Sequence, residues 1–379
     1  MISHNESLSK FGQLSPIECY KLNIVSLFCI ILFICSFSFN SILLWVFYMS
    51  KELRSPLNII MIALTILNLT GTITELPTVI VTNYTCRWIF GKLMCTVSAF
   101  IMYFIGCSSI YLLTAISFER WYVIVEPFKQ RHFTFRVTIG IIAGCCLLSF
   151  VYCALPLFGW SHYSLELSLV TCSVEWHEKS FNVVSYNFFM FSFVYLIPLI
   201  ILVYTNIKLI KSLNRFLKIS KQNFLAKKRI MKERKLTISI LVIIAGFMIS
   251  WTPYAIVSLI SSFFSDYIHI TPFMALIPTI FAKTSLVWPS VLYVFSNNQV
   301  QLVLSKKFKS YKVKKTISEC KNFSGPILFL NMNKETVQIS KEEKRKSMSI
   351  CLDSEPSPYS STSLTTNLKK YLCIDLLNF

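Results

Sequence analysis

Seven long apolar runs constrain this chain more than any other feature of its sequence. They cover residues 22–48, 57–82, 94–124, 136–158, 183–210, 236–263 and 270–295. Each has the roughly 20 mainly apolar residues that an α-helix needs to cross a bilayer. Because 54% of the 379 residues are hydrophobic and only 15% are charged, a soluble domain of this size is excluded. The sequence therefore predicts an all-α membrane protein built as a seven-transmembrane helix bundle.

The basic residues lie mainly on one side of the predicted membrane. Between Lys208 and Lys235 there are eleven Lys or Arg residues and one acid. The connections after the first and third runs, and the start of the tail, are basic as well. Such loops stay in the cytoplasm. The formal charge of +19 therefore orients the chain in the plasma membrane, N-terminus outside and C-terminus inside, and does not indicate a nucleic-acid partner.

Four parts follow from this organisation: an extracellular N-terminus (residues 1–21), the bundle (22–296), a short amphipathic helix on the membrane lipid (297–311) and a disordered cytoplasmic tail (312–379). The helix is predicted from apolar residues at helical spacing opposite lysines. The tail is polar and rich in serine. Sequons on the outer side predict glycosylation of Asn5 and Asn83. Cys19 and Cys86 also lie near that side, and we expect two unpaired thiols there, with a disulfide as the alternative.

A lysine, Lys283, lies in the middle of the seventh run. A charge at the centre of a membrane helix costs about 3 kcal/mol on the mildest scale, so such a residue usually faces a partner or a functional cavity. Glu75 is the only carboxylate well inside the second run, in its outer half and near the depth of Lys283. Since buried ionisable groups pair, Glu75 is a candidate partner for this lysine.

Several motifs resemble those of class A, or rhodopsin-like, G-protein-coupled receptors. Glu119-Arg120-Trp121 closes the third run and resembles the Glu/Asp-Arg-Tyr triplet of that class. Trp251-Thr252-Pro253, Asn40 and Pro198 stand where the class has its helix markers. The resemblance covers residues 20–310. It implies the seven-helix fold predicted above and a receptor, not an enzyme, with no catalytic or metal-binding residues.

The same resemblance implies further contacts and partners. It implies a disulfide between Cys95 and Cys172 on the outer side. On the inner side it implies a G-protein switch in which Arg120 pairs with Glu233, and whose members are Glu119, Arg120, Glu233 and Tyr293. The implied partners are a heterotrimeric G protein, and arrestin and a receptor kinase that act on the Ser/Thr-rich tail.

The segment FAKTS, which contains Lys283, resembles the seventh helix of the animal opsins. Gly159-Trp160 resembles the opening of the opsin second outer loop. The resemblance implies that Lys283 forms a Schiff base with 11-cis or all-trans retinal, and that light switches the receptor. The implied retinal pocket contains Gly106, Trp251, Tyr254, Phe247, Met190 and Phe191. Among opsins, the chain most resembles non-visual members of the encephalopsin and multiple-tissue type.

A retinal Schiff base that carries a proton needs a nearby carboxylate as counter-ion, because an opposite charge favours the charged form. Vertebrate visual pigments have this glutamate three residues after the first disulfide cysteine, where this chain has Ser98. Glu166 stands where many opsins carry a loop carboxylate, and is the leading candidate. Glu75 is the second candidate, as main or additional counter-ion.

Three departures from the class pattern bear on signalling. Asn68 replaces an aspartate, Pro289-Ser290 replaces an Asn-Pro pair, and Asn206 replaces a tyrosine. We expect these changes to remove the usual polar cluster and weaken G-protein activation while leaving retinal binding intact. Two alternatives stay open: a retinal photoisomerase with weak signalling, and a class A receptor for a diffusible ligand. An ion pump or channel is disfavoured because the runs lack a chain of acids.

Overall fold

The computed structural model describes residues 10–50, 55–125, 134–219, 224–264, 267–297 and 299–307, and three short segments at 327–331, 349–353 and 373–375. The chain divides into two compact units, Met1–Gln301 and Leu302–Phe379. The first unit contains the helices that position the candidate site.

Among the described residues, seven helices are long and apolar enough to cross a membrane. They are α1 (Cys19–Met49), α2 (Pro56–Tyr84), α3 (Gly91–Val125), α4 (Phe135–Ala154), α5 (Phe181–Ile219), α6 (Phe224–Phe264) and α7 (Pro272–Ser296). A 3-10 turn, Leu155–Phe158, extends α4. The predicted runs agree with these bounds to within a few residues at their outer ends, which confirms the seven-helix bundle.

Side-chain caps define where several helices begin. The hydroxyl oxygens of Ser55, Thr134, Ser180 and Thr271 accept hydrogen bonds from backbone N–H groups three residues later, at 3.3–3.4 Å. Such caps satisfy N–H groups that have no partner inside the helix. Proline at the first position of α2 and α7 adds to this, because proline has no N–H to satisfy there.

Burial separates the central helices from the peripheral ones. The most apolar window is 72% buried in α7 and 61% in α3, but only 17% in α4. Many large apolar side chains of α1, α4 and α5 are exposed, whereas serine, threonine and asparagine side chains are buried between helices. This distribution suits a bundle in lipid, where apolar groups face outward and polar groups must find partners inside. Helices α3 and α7 are therefore the scaffold of the interior.

A two-stranded antiparallel sheet covers part of the outer end of α3. Strand β1 (Tyr163–Leu165) pairs with β2 (Cys172–Val174), with Leu165 opposite Cys172. A disulfide between Cys95 and Cys172 joins β2 to α3, as predicted. The connection between the two strands contains Glu166, so the disulfide holds this carboxylate over the interior.

A second disulfide joins Cys19 to Cys86 and contradicts the prediction of two unpaired thiols. The segment before α1 pairs with the α2–α3 connection through a bridge between Leu14 and Arg87. The Ser15 N–H also donates to the Cys86 carbonyl, at 2.9 Å. This local pairing, which side-chain type alone does not reveal, brings the two cysteines together at a Cα–Cα distance of 5.5 Å.

Two helices contain breaks in their regular hydrogen bonding. In α5, Phe191–Leu196 forms a π-helix just before Pro198, and the Phe193 carbonyl accepts a bond from the Tyr111 hydroxyl of α3. In α7, a 3-10 turn at Thr284–Leu286 directly follows Lys283. Breaks of this kind often lie at functional sites, and both lie near the interior of the bundle.

Residues 299–307 are helical, which confirms a short helix after the seventh span. In the second unit, β3 (Ile327–Asn331) pairs in parallel with β4 (Ser349–Asp353), and β4 pairs in antiparallel with β5 (Cys373–Asp375). Most of the tail, 312–379, lies outside the described residues, so its predicted disorder stays a prediction.

Candidate functional site

A buried ion pair lies at the centre of the bundle. The Lys283 ammonium of α7 is 2.5 Å from the Glu75 carboxylate of α2, and both residues are only 2% exposed. The attraction between opposite charges offsets part of the cost of burying each of them. Removing one partner from such a pair costs about 3–5 kcal/mol, because it leaves an uncompensated charge. The pair therefore accounts for the two charges that Glu75 and Lys283 place inside the second and seventh apolar runs.

Ser98 of α3 completes this arrangement. Its hydroxyl donates to the second carboxylate oxygen of Glu75, Oε2, at 2.6 Å, while Oε1 takes the bond from Lys283. Ser98 is also buried. Each oxygen of the carboxylate thus has a donor, as a buried charge requires. Three helices meet at this one carboxylate.

Glu166, the other counter-ion candidate, lies nearby but bonds to hydroxyls. Its carboxylate accepts from Thr171 at 2.7 Å and from Thr279 at 2.9 Å. Burial raises the pKa of Glu166 above its ordinary value, and the two hydroxyls and the charge of Lys283 partly oppose that rise. Thr279 precedes Lys283 by one turn of α7, so Glu166 borders the site. The structure brings Glu75, and not Glu166, into contact with the lysine.

An aromatic cavity lies in the same bundle. Its empty volume is about 720 Å³, including the part that is open, which falls in the range of small-molecule sites. All six predicted pocket residues line it: Gly106, Met190, Phe191, Phe247, Trp251 and Tyr254. Lys283 itself is not among the lining residues. The indole N–H of Trp251 donates to the Ser285 hydroxyl at 3.0 Å, so Trp251 lies between the cavity and the α7 segment that carries Lys283.

Several cavity residues were missed from the sequence. Tyr103 lines the wall one turn before Gly106, and its hydroxyl bonds to that of Tyr254 at 2.6 Å. Helical spacing from Gly106 could have identified it. Trp176 lines the cavity from the segment after β2, and Tyr195 lines it from the π-helix. Neither position has a periodic sequence signal, because one lies in a loop and the other in an irregular turn.

The C-terminal end of α3 carries an ion-pair group. Arg120 donates to both carboxylate oxygens of Glu119, at 2.6 and 2.7 Å, and its guanidinium is 3.7 Å from the Glu233 carboxylate of α6. The predicted pairing of Arg120 with Glu233 is present, although the shorter contacts are to the adjacent Glu119. This group links α3 to α6.

Tyr293, the last predicted member of the switch, is fully buried in α7. Its hydroxyl donates to the Asn58 side-chain oxygen of α2 at 2.6 Å, and its ring lies 5.9 Å from that of Phe47. Tyr293 therefore contacts α1 and α2 here. Arg120 bonds instead to Glu119, so among the described residues the two predicted switch residues have different hydrogen-bond partners.

A neutral polar cluster joins α1, α2 and α7 near the Pro289-Ser290 departure. The Ser290 hydroxyl donates to the Asn40 side-chain oxygen at 2.5 Å, and the Asn40 amide donates to the Leu286 carbonyl at 3.1 Å. Ser36 donates to the same carbonyl and shares a bond with Thr72. Ser290, although it replaces part of an Asn-Pro pair, thus still supplies a hydroxyl to α1, whereas the amide nitrogen of Asn68, which replaces the usual aspartate, has no partner among the described residues.

The predicted glycosylation of Asn83 is contradicted. Asn83 lies within α2, is 0% exposed, and uses its amide to donate to the Val79 carbonyl at 2.8 Å. A glycan needs an accessible side-chain amide, and a sequon alone carries no information on burial. Asn5 lies outside the described residues.

Comparison with known proteins agrees with this geometry. A family described as 7 transmembrane receptor (rhodopsin family) matches residues 39–297. Opsin Rh1 of Drosophila pseudoobscura pseudoobscura is 30% identical over 311 residues, covering 79% of this chain and 82% of the relative. The visual pigment-like receptor peropsin of Homo sapiens is 29% identical over 307 residues, covering 81% and 89%. The crystal structure of squid rhodopsin matches with a TM-score of 0.71 at 25% identity, covering 79% and 88%.

The chain therefore belongs to the rhodopsin family of seven-transmembrane receptors and, within it, to the animal opsins. It is a multi-pass membrane protein and a light-sensing G-protein-coupled receptor. The resemblance to encephalopsin-type members stays a prediction.

Proposed function

We propose that this receptor holds retinal, in the 11-cis or all-trans form, through a Schiff base on Lys283, and that light-driven isomerisation activates a heterotrimeric G protein. The observation that carries the proposal is Lys283 itself, a lysine 2% exposed inside α7, with Trp251 between its segment of α7 and an aromatic cavity. Retinal supplies the absorption of light and the change of shape. The protein supplies the lysine that binds retinal, the carboxylate that compensates its charge, and the cavity residues that would move.

The residues around Lys283 fit a covalently held polyene. The ammonium has one carboxylate partner, Glu75, which would offset a positive charge kept at the same nitrogen. Phe191, Phe247 and Trp251 give the cavity an apolar and aromatic lining. Such a lining suits a long apolar ligand with one polar end. We propose Glu75 as the main counter-ion and Glu166 as a secondary one.

The same cavity connects to the helix that would move. Trp251 and Phe247 are four residues apart on one face of α6, with ring centroids 6.1 Å apart. Pro253 follows within the same helix and removes one backbone hydrogen bond there. A displacement of Trp251 is therefore applied next to a weak point of α6. At the inner end of that helix lies Glu233, beside Arg120.

The signalling partners belong to the same proposal. With the N-terminus outside, the inner ends of α3 and α6 and the eleven basic residues between Lys208 and Lys235 face the cytoplasm and the G protein. Ser and Thr residues of the tail, which includes the stretch SEPSPYSSTSLTT, would take phosphate from a receptor kinase and then bind arrestin. Light-dependent phosphate incorporation into the tail would support this arrangement.

The covalent anchor is tested by trapping. The protein is expressed, incubated in separate samples with 11-cis and all-trans retinal, reduced with borohydride and mapped by mass spectrometry. We expect one retinyl adduct, on Lys283, and none in Lys283→Ala. An adduct-free Lys283 would overturn the proposal in favour of a receptor for a diffusible ligand. Light-dependent nucleotide exchange on a G protein, measured with retinal isomer analysis, separates signalling from a photoisomerase.

A further inference from the structure

Glu75 has two bonds, and the second one defines a role for Ser98. One carboxylate oxygen takes the Lys283 ammonium and the other takes the Ser98 hydroxyl, at 2.5 and 2.6 Å. The three residues come from α2, α7 and α3, and none is more than 3% exposed. Among the described residues, these two groups are the ones that donate hydrogen bonds to the Glu75 carboxylate. The orientation of the carboxylate therefore depends on one hydroxyl.

The physical effect of this hydroxyl follows from burial. A carboxylate on a flexible glutamate side chain can rotate, and in an apolar interior each oxygen without a donor raises the cost of its charge. Ser98 fixes Oε2, which leaves Oε1 directed at Lys283. A hydrogen bond to the charged form also favours that form. Both effects act on the compensating charge, and neither requires that Ser98 touch the lysine.

We propose that Ser98 is the positioning residue of the counter-ion: its hydroxyl holds Glu75 charged and directed at Lys283, so that α2 and α3 together form one anion site. This inference rests on the proposed function, because it assigns Ser98 a role toward the group carried by Lys283. It has two consequences. The hydroxyl, and not the shape of serine, is required, and a carboxylate placed on α3 reaches the same lysine.

The first consequence is tested by titrating the retinal-reconstituted protein. For Ser98→Ala, the pH at which half of the visible band is lost should fall by at least one unit, which is a tenfold weaker hold on the proton. Ser98→Thr keeps a hydroxyl and should titrate within 0.3 unit, roughly a twofold change, of the parent protein. Ser109→Ala is the matched control: Ser109 is a buried serine of the same helix whose hydroxyl has no partner among the described residues. It should titrate as the parent does.

The second consequence is tested by relocating the charge. Glu75→Gln should lose the visible band at neutral pH, and the double variant Glu75→Gln/Ser98→Glu should regain it. Without retinal, the double variant should also regain most of the melting temperature lost in Glu75→Gln, since it restores a partner for the ammonium. This second measurement does not depend on light or on signalling, and it keeps the test informative where a single variant folds poorly.

The outcomes separate the inference from the proposed function. If the parent protein forms no pigment and no Lys283 adduct, the proposed function fails. If the parent forms a pigment but Ser98→Ala titrates like Ser109→Ala, the anchor stands and the role of Ser98 is refuted. A Ser98→Thr variant that behaves as Ser98→Ala, or a double variant that gains neither the band nor stability, also counts against it.

Discussion

Gly106 meets Trp251 so closely that no side chain fits between them. A Cβ added to Gly106 would lie 2.6 Å from Cζ2 of the Trp251 indole, which is a rigid ring. Gly106→Ala should therefore displace Trp251 and destabilise the retinal-free protein by about 1–3 kcal/mol, the usual effect of overpacking. Thermal unfolding in detergent measures this. Gly144→Ala is the control, since nothing lies within 4 Å of that position on α4, and it should be neutral or stabilising. Equal melting temperatures for both variants would refute the close contact.

The two carboxylates near Lys283 should respond differently to neutralisation. Glu75→Gln removes the direct partner of the ammonium, so the reconstituted protein should absorb in the near ultraviolet at neutral pH. The retinal-free protein should lose about 3–5 kcal/mol, since a buried charge is left unpaired. Glu166→Gln keeps that pair and should retain the visible band. Absorption spectra across pH decide this, and a band that survives Glu75→Gln but not Glu166→Gln would reverse the assignment.

For individual residues, the sequence predicted which side chains belong to the site better than it predicted their contacts. The cost of a lone charge in an apolar run identified both Lys283 and Glu75, and burial of both agrees with that reasoning. The ranking of Glu166 over Glu75 came from resemblance. It could not include the Thr171 and Thr279 hydroxyls that occupy Glu166, because those contacts depend on how the loop folds. Ser98 was read as a missing glutamate, and its role as a donor appears only in three dimensions.

Among the structural elements, the second disulfide offers a direct test. The Cys19–Cys86 bond closes a loop with a sequence separation of 67 residues. Because the bond restricts the conformations of the unfolded chain over such a loop, it stabilises the folded protein by roughly 4 kcal/mol in the chain-entropy description. The double variant Cys19→Ser/Cys86→Ser should therefore unfold at a clearly lower temperature. Cys35→Ser, which changes a free cysteine of α1, is the control and should have a small effect. Coincident unfolding curves for the double variant and the parent would show that the bond contributes nothing.

Helix positions were predictable and helix irregularities were not. Apolar runs report how much chain lies in lipid, so the seven spans agree with the structure to within a few residues at most ends. The π-helix at Phe191–Leu196 consists mainly of apolar residues, like the α-helical turns on both sides of it, so hydropathy does not mark it. The 3-10 turn at Thr284–Leu286 depends on partners elsewhere, because the Leu286 carbonyl is satisfied by Ser36 and Asn40 of α1. The local sequence does not reveal such long-range hydrogen bonds.

For the molecule as a whole, the inner ion-pair group should set the activity in the dark. Glu119 holds Arg120 with two short bonds and is nearly buried, whereas the Glu233 side chain is 41% exposed and 3.7 Å away. Exposed pairs contribute about 0.2–1 kcal/mol, and buried charged bonds contribute more. Glu119→Gln should therefore raise dark nucleotide exchange on the G protein more than Glu233→Gln does, the latter by at most about fivefold.

Glu18→Gln provides the control for this comparison, because it removes an exposed pair with Lys21 at the start of α1 and should leave dark activity unchanged. A larger effect for Glu233→Gln than for Glu119→Gln would assign the resting state to the α3–α6 contact instead.

The 3-10 turn of α7 has a mechanical consequence. Helix α7 is tied on both sides of Lys283: Thr279 is bonded to Glu166 one turn before it, and the Leu286 carbonyl is bonded to α1 just after it. The segment of α7 that carries Lys283 is therefore held in place. Helix α6 touches this fixed part through Ser250–Thr284 and Trp251–Ser285 hydroxyl contacts, which are single bonds beside Pro253. A ligand that changes shape while one end is bound to this part of α7 would displace the neighbouring helix that is held less firmly. Under the proposed function, we therefore expect retinal isomerisation to displace α6 and not α7.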